Sequence, residues 1–366
     1  MEHTETVVVG AGQAGLATAY HLKQRGRTCV VLDANQRVGD NWRRQWDSLK
    51  LYTPARYDGL PGLPFPGDPW SFPGKDEVAD YLEGYATHHG LDVRLGTRVQ
   101  RLTREGDEFV VTTDHGPIRA GNVVVATGTF GRTPRVPAFA SDLDPGILQM
   151  HSSEYRRPSQ LGSGPVLVVG ASHSGVDIAY ELAETHPTTL VGRDCGQIPL
   201  PIESRRMRVA FRPVTFAWRH VLTRRNPKGR KAMTHLRAHG GPMLRVKRSD
   251  LADRGVVRNA ARVSGVQDGR PVLDDGTVVD AATVIWATGF QQRFDWIDLP
   301  AFRDDGWPKE HRGVVADEPG LYFCGLCFQY AFSSMLMLGA GRDAEYVVRH
   351  LTARSTSKNR ESVGVS

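Results

Sequence analysis

Two segments of the chain share one pattern of apolar and small residues. In the first, the β-branched run Val7 to Val9 breaks into Gly10, Ala11, Gly12, Gln13, Ala14 and Gly15, and LATAYHLKQRG then sets apolar residues at helical spacing. The next apolar run, TCVVLDA, ends in Asp33, eighteen residues after Gly15. In the second, Pro165 to Val169 is the strand, Gly170, Ala171, Ser172, His173, Ser174 and Gly175 the turn, and VDIAYELAET the helix. The strand after it, TTLVGRD, ends in Arg193. The pattern predicts strand, glycine turn, helix and strand, twice over. Two further apolar runs, VVVATG and VIWATG, end alike in Ala126, Thr127, Gly128 and in Ala287, Thr288, Gly289. Gly320 to Gly325 reads as a strand and turn, SSMLMLGAGRDAEYVVRHL as a helix, and the polar tail STSKNRESVGVS as disordered.

The glycine spacing has a specific physical use. Gly10 permits a tight turn, Gly12 lets the backbone approach a pyrophosphate, and Gly15 allows helix to pack closely on strand. An anion then sits on the helix N-terminus, where unpaired N–H groups and the helix dipole favour negative charge. Asp33 can bind a ribose hydroxyl pair but repels a 2′-phosphate, which suits FAD or NAD and not NADP. In the second copy Ser172 replaces the middle glycine, so the approach is less close. Arg193 stands where the first copy has its acid, and a guanidinium there pairs with a 2′-phosphate, which favours NADP. The fold class expected is α/β with two Rossmann-like dinucleotide-binding domains. The NADPH domain, 156–285, is inserted into a discontinuous FAD domain, 1–155 and 286–366. The ATG segments mark where the chain passes from one domain to the other, close to cofactor.

Composition narrows the class. A chain of 366 residues with 40% hydrophobic residues suits two domains, each with its own core. Only Met1 to Thr6 precede the first apolar run, and no apolar stretch approaches membrane-spanning length, so the expectation is a cytoplasmic protein that does not engage membranes. Four cysteines are too few and too scattered for a disulfide framework. Cys324 and Cys327 alone form a CxxC; it is read as small apolar filler, with a redox pair as the alternative. The thirteen histidines show no metal-ligand pattern; His88 and His89 read as a helix end, and no metal is expected. Net charge is +6, yet Arg205 to Arg248 holds 14 Lys or Arg and no acid, leaving −8 for the rest. This basic insertion, at about 200–248, is either a solvated, poorly packed excursion or a field for an anion or an acidic partner. Nucleic-acid binding is not expected, since no recognised motif accompanies the charge. Of its aromatic residues Phe211, Phe216 and Trp218, core is the favoured reading over the wall of a substrate pocket.

Taken together the motifs resemble the flavin-containing monooxygenases, bacterial members and the plant enzymes that oxidise indole-3-pyruvate among them. The resemblance covers nearly the whole chain and rests on GAGQAGL, VGDNWRRQWDSLKLYTPARYDGLPGLPFPG, HSSEYR, GASHSGVDIA, WATGF and PGLYFCGL, in the family's order and spacing. Two departures stand out. The linker signature is matched by His151 and Tyr155, but Ile147 stands where a glycine is usual. The stretch Arg44 to Thr53 has no Asn near the flavin, where Lys50, Tyr52 and Thr53 stand instead. The resemblance implies that NADPH reduces FAD, that O2 adds at C4a of the reduced ring, and that the (hydro)peroxide passes one oxygen to a small organic substrate.

The candidate catalytic residues are Lys50, Tyr52, Thr53, His151 and Tyr155, the last two bridging the domains. Candidate FAD contacts are Gly10, Gly12, Gln13, Ala14, Gly15, Asp33, Ala34, Asn41, Trp42, Arg43, Thr53, Val99, Ala126, Thr127, Gly128 and Gly325. Candidate NADPH contacts are Gly170, Ser172, His173, Ser174, Gly175 and Arg193, and Ala287, Thr288 and Gly289 are candidate cofactor contacts at the crossing between domains. The rival functions are an NADPH-dependent flavin reductase acting on a disulfide or quinone, and a nucleotide-sensing protein that meets a partner through the basic insertion. Substrate identity is left open among amines, sulfides, ketones and 2-oxo acids. A homodimer is the default for such folds.

Overall fold

A computed structural model of the chain describes residues 2–128 and 133–363. Valine-rich runs buried on both faces are what a parallel sheet requires, and the chain builds two such sheets. The first has nine strands. Leu321–Phe323, Gly116–Val125, Glu2–Val9, Cys29–Leu32 and Val93–Arg94 run parallel as its centre, in that order, with Val9 opposite both Leu32 and Val125. The first strand begins five residues before the apolar run, because its polar start still pairs with Gly116–Val125. Val99–Glu105 and Glu108–Thr113 form an antiparallel extension, and the short strands Glu310–His311 and Val314–Val315 close the other edge. Helices Gln13–Lys23 and Met337–Val363 pack on one face through Leu16, Leu22, Ala344, Val347, Val348 and Leu351.

The second sheet is all parallel, in the order Val257–Asn259, Thr188–Val191, Val166–Val169, Thr283–Trp286 and Leu148–His151. Helix His173–Leu182 covers it with Val176, Ile178, Ala179 and Leu182, all buried against Val166, Val168, Leu190 and Ile285. The second sheet is built from residues 148–286, inside the span of the first. Its strand Leu148–His151 precedes residue 155, so the sheets divide the chain earlier than the boundary read from the sequence. The strand belongs there because it is the edge partner of Thr283–Trp286. The two crossings between sheets lie side by side, with Thr133–Pro134 antiparallel to Phe290–Gln291. The stretch between Gly128 and Thr133, inside the first ATG segment's continuation, falls outside the described residues.

The basic insertion is neither loose nor detached. Helix Arg205–Phe216 buries Met207, Phe211 and Thr215 along one face, with Phe211 near Tyr57 and Phe72 of the first domain. Beyond it, Arg224 pairs with buried Glu310, Thr223 bridges Ala331, and Arg237 lies over Trp307 while donating to the Cys327 carbonyl at 3.0 Å. The insertion therefore reaches back from the second domain and fastens to the C-terminal part of the first. Phe216, by contrast, is 61% exposed and is not core, since it lies on the helix face opposite Phe211. The tail also departs from expectation. The last helix continues to Val363, tied down past Leu351 by Arg354, whose Nη1 donates to Asn122 Oδ1 at 3.0 Å.

Candidate functional site

Both glycine turns are built to one plan. Gly10 has φ +108°, and a Cβ there would stand 2.7 Å from the Ala126 carbonyl oxygen; Gly170 has φ +115° and a Cβ would stand 2.3 Å from that of Ala287. A Cβ on Gly15 or Gly175 would lie 1.8 Å from the carbonyl oxygen of Gly10 or Gly170. No side chain fits at any of the four positions. Ala126 and Ala287 play the same part, each donating its N–H at 2.8 Å to the strand that feeds the turn, to Val9 and Val169 respectively. The small residues of the two ATG segments are thus the backstops of the two turns. At Gly12 the space is open, with nothing within 4 Å of where a Cβ would be. Gly325, at φ +87°, presses against Ala14, where a Cβ would meet the Ala14 side chain at 2.8 Å.

The strand ends differ in charge. Asp33 is buried, accepting from the Ala11 N–H at 2.7 Å and from Asn35 at 2.8 Å, so its carboxylate faces into the first turn. Ala34 follows it, half-buried, and Thr97 donates its N–H to the Asp33 carbonyl two residues before Val99. Arg193 is exposed, and its guanidinium has no hydrogen bond or ion pair among the described residues. The neighbouring Asp194 is held well below the usual carboxylate range by Arg248, at 2.8 Å, and Arg258, at 3.1 Å. That corner therefore presents a surplus of guanidinium. The open cradle with a buried acid, and the matching cradle with a free guanidinium, fit an unphosphorylated and a 2′-phosphorylated dinucleotide respectively.

Several candidates take other parts. Arg43 is engaged by Asp80 and Glu83, both at 2.8 Å, and by the Val38 carbonyl, so it braces a helix surface. Asn41 and Lys50 are exposed, while Trp42 packs between the cores of the two domains. Tyr155 is fully buried, its hydroxyl donating to Glu181 at 2.7 Å. Its ring shares a buried cluster with Trp46 and Leu49 of the first domain, while its hydroxyl is held by the helix that covers the second sheet. His151 does sit at the crossing: it is buried, its Nε2 lies 3.0 Å from the Gly289 carbonyl oxygen, and burial lowers its pKa. Thr288 bonds the Arg135 carbonyl across the same crossing.

The loop that carries Tyr52 and Thr53 holds the least expected chemistry. Tyr52 donates to Asp177 Oδ2 at 2.9 Å, joining the first domain to helix His173–Leu182 of the second. Arg245 completes the junction, 3.9 Å from Asp177 and donating to the Leu51 carbonyl at 2.8 Å. Burial pushes the Asp177 carboxyl up to about 6, against the opposing pull of Tyr52 and Arg245. Thr53 donates at 2.6 Å to Asp58, which is 1% exposed, has its second oxygen without a partner among the described residues, and is pushed up to about 7 by burial. Asp58, Asp177 and Arg245 were missed in the sequence. Asp177 had a readable signal, being four residues after His173 and so on the same helix face. Cys324 and Cys327 are free thiols buried to 1% and 3%, pushed up to about 12 and about 11 by burial, which is the opposite of a reactive dithiol.

Residues 7–199 match the pyridine nucleotide-disulphide oxidoreductase family. An uncharacterized CzcO-like oxidoreductase from Geobacillus kaustophilus is 38% identical over 354 residues, covering 96% of this chain and 99% of that protein. The indole-3-pyruvate monooxygenase YUCCA1 of Oryza sativa is 28% identical over 98% of this chain and 94% of its own length. Among solved structures, a flavin-containing monooxygenase from Stenotrophomonas maltophilia superposes with a TM-score of 0.76 at 26% identity, covering 97% of this chain and all of that one. No helix among the described residues is long and apolar enough to cross a membrane. With two nucleotide cradles on one chain and these likenesses across almost its full length, the protein belongs to the pyridine nucleotide-disulphide oxidoreductase family and, within it, to the flavin-containing monooxygenases, as a flavin-dependent enzyme.

Proposed function

We propose that the protein binds FAD at the first glycine turn and NADPH at the second, and transfers one oxygen atom of O2 to a small organic substrate. The observation that carries this reading is the pair of opposite charges at equivalent strand ends, Asp33 and Arg193, behind two cradles of the same geometry. When bound, FAD accepts a hydride from NADPH and activates oxygen.

The chain's own residues supply position. Gly10, Gly12 and Gly15 let the backbone and the helix N-terminus meet the FAD pyrophosphate, and Asp33 takes the ribose. Ser172, Ser174 and Arg193 hold NADPH, Arg193 by its 2′-phosphate. Tyr52, Asp177 and Arg245 fix the flavin-side loop against the helix that begins at the second turn, and so set where the two cofactors meet. His151 holds the crossing between domains through Gly289. Asp58 keeps a proton near neutral pH at a site shielded from water. A reductase acting through its own dithiol is disfavoured by the buried, weakly acidic thiols of Cys324 and Cys327.

The test is a screen of amines, sulfides, ketones and 2-oxo acids for substrate-dependent consumption of NADPH and O2 by the FAD-loaded protein, with hydrogen peroxide measured alongside. One class should draw both in equal amounts with little peroxide and yield a product heavier by one oxygen. Stoichiometric peroxide with every class, or oxidation of NADPH without O2 beyond the one equivalent that reduces the FAD, would refute the reading.

A further inference from the structure

The two turns share a design but not a surrounding. Above the first, the Gly12 position is open. Above the second, a segment of the basic insertion lies on the equivalent residue. A Cβ on Gly240 would stand 2.3 Å from both Cβ and Oγ of Ser172, and one on Gly241 would stand 2.7 Å from His173 Nε2. Ser172 Oγ donates to the Gly241 carbonyl oxygen at 3.1 Å. The ends of the segment are anchored, since His239 donates its N–H to the His235 carbonyl and Arg237 holds the Cys327 carbonyl on one side, while Met243 exchanges hydrogen bonds with Gly196 and Ile198 and Arg245 holds the Leu51 carbonyl on the other.

A second observation points to a ligand. His173, the first residue of the helix, has its Nε2 shut off from solvent and without a partner among the described residues, while the Pro242 backbone engages the same ring. A buried ring nitrogen without a partner costs stability and persists where another state uses it. Here the other state is within reach: the nitrogen belongs to a residue whose backbone N–H opens the helix, where a phosphate binds.

Resting on the assignment of NADPH to this turn, we propose that His239–Pro242 is a strap that covers the second nucleotide site and is exchanged for the NADPH pyrophosphate. Two glycines are what let a backbone lie flat on Ser172 and His173. With the strap down, Ser172 Oγ gives its hydrogen to Gly241; with the strap lifted, Ser172 and His173 both turn to the phosphates. Affinity for NADP is then reduced by the fraction of molecules in which the strap is open. Arg245 lies three residues beyond the strap, so lifting it also loads the junction with Tyr52 and Asp177.

Hydrogen exchange on the FAD-loaded protein, with and without NADP+, tests this directly. NADP+ should speed exchange of the amides of His239, Gly240, Gly241 and Met243 about ten-fold while slowing those at 173–176. Gly240→Ala, which drives a methyl into Ser172, should dislodge the strap and tighten NADP+ binding about three- to ten-fold, read by calorimetry, with FAD content unchanged; Gly241→Ala should do the same through His173. Slower or unchanged exchange at 239–243 with NADP+ bound, or weaker NADP+ binding in both variants, makes the segment a fixed wall and overturns the proposal. Wild-type protein that fails to bind NADP+ at all refutes the assignment of the site itself, which is a distinct result.

Discussion

Replacing Arg193 by alanine is the sharpest perturbation of the cofactor assignment. The guanidinium is exposed and unpaired among the described residues, so its removal breaks no internal contact and leaves the fold intact. The adjacent Asp194 does not compete for it, being already matched by Arg248 and Arg258. A charge-assisted contact from a guanidinium to a phosphate contributes about 1.5 to 3 kcal/mol, and exposure to solvent places this one toward the middle of that range. A loss of about 2 kcal/mol weakens NADPH binding roughly 30-fold. NADH lacks the 2′-phosphate and should change by less than about two-fold, since nothing else at the site is altered. Because the contact is between exposed charges, added salt should narrow the gap between wild type and variant for NADPH. Calorimetric titration with both nucleotides, repeated at low and high ionic strength, measures all three expectations. Equal losses for NADPH and NADH would refute the assignment of Arg193 to the 2′-phosphate and, with it, the assignment of the second turn.

Other outcomes follow from single side chains. Asp58 is protonated in the fold up to about 7 but ionises near 3.8 when unfolded, so the folded state binds the extra proton between those values and stability falls as pH rises through them. Asp58→Asn should therefore raise stability at pH 8, by ~4 kcal/mol at most, and leave it almost unchanged at pH 4, as read by thermal unfolding across pH; an equal shift at both values refutes the buried proton. Tyr155→Phe should cost about 1 to 2 kcal/mol of stability through the lost bond to Glu181 while leaving NADPH-driven flavin reduction at its wild-type rate. Slowed reduction with stability intact would return Tyr155 to the chemistry. Cys324→Ser combined with Cys327→Ser should retain turnover of NADPH, and its loss in a stably folded variant would revive a dithiol route.

What was legible in the sequence was whatever local geometry dictates. Gly10, Gly15, Gly170 and Gly175 stand where no side chain fits, and the valine runs beside them stand where both faces are buried. Such constraints act over a few residues and leave a spacing behind. The contacts that escaped reading join distant parts of the chain. Nothing near Asp177 announces that Tyr52 will meet it, and nothing in a run of arginines announces that Arg224 and Arg237 will grip the first domain. The same holds for Arg43: its place beside a cofactor motif is sequential, whereas its partners Asp80 and Glu83 come from a helix thirty-odd residues on. The edge strand Leu148–His151 was assigned to the wrong side because sheet membership is fixed by a partner at Thr283–Trp286, not by its own composition.

The paired crossings at Thr133–Pro134 and Phe290–Gln291 have a consequence for how the enzyme is assembled and how it flexes. Where a guest unit enters and leaves its host at adjacent points, about 5 Å apart across a ladder, its two ends are already joined in space. The host can close its sheet without waiting for the guest, while Arg224, Arg237 and the Tyr52–Asp177–Arg245 junction pin the guest at points away from that hinge, so that a rigid turn about it first has to release them.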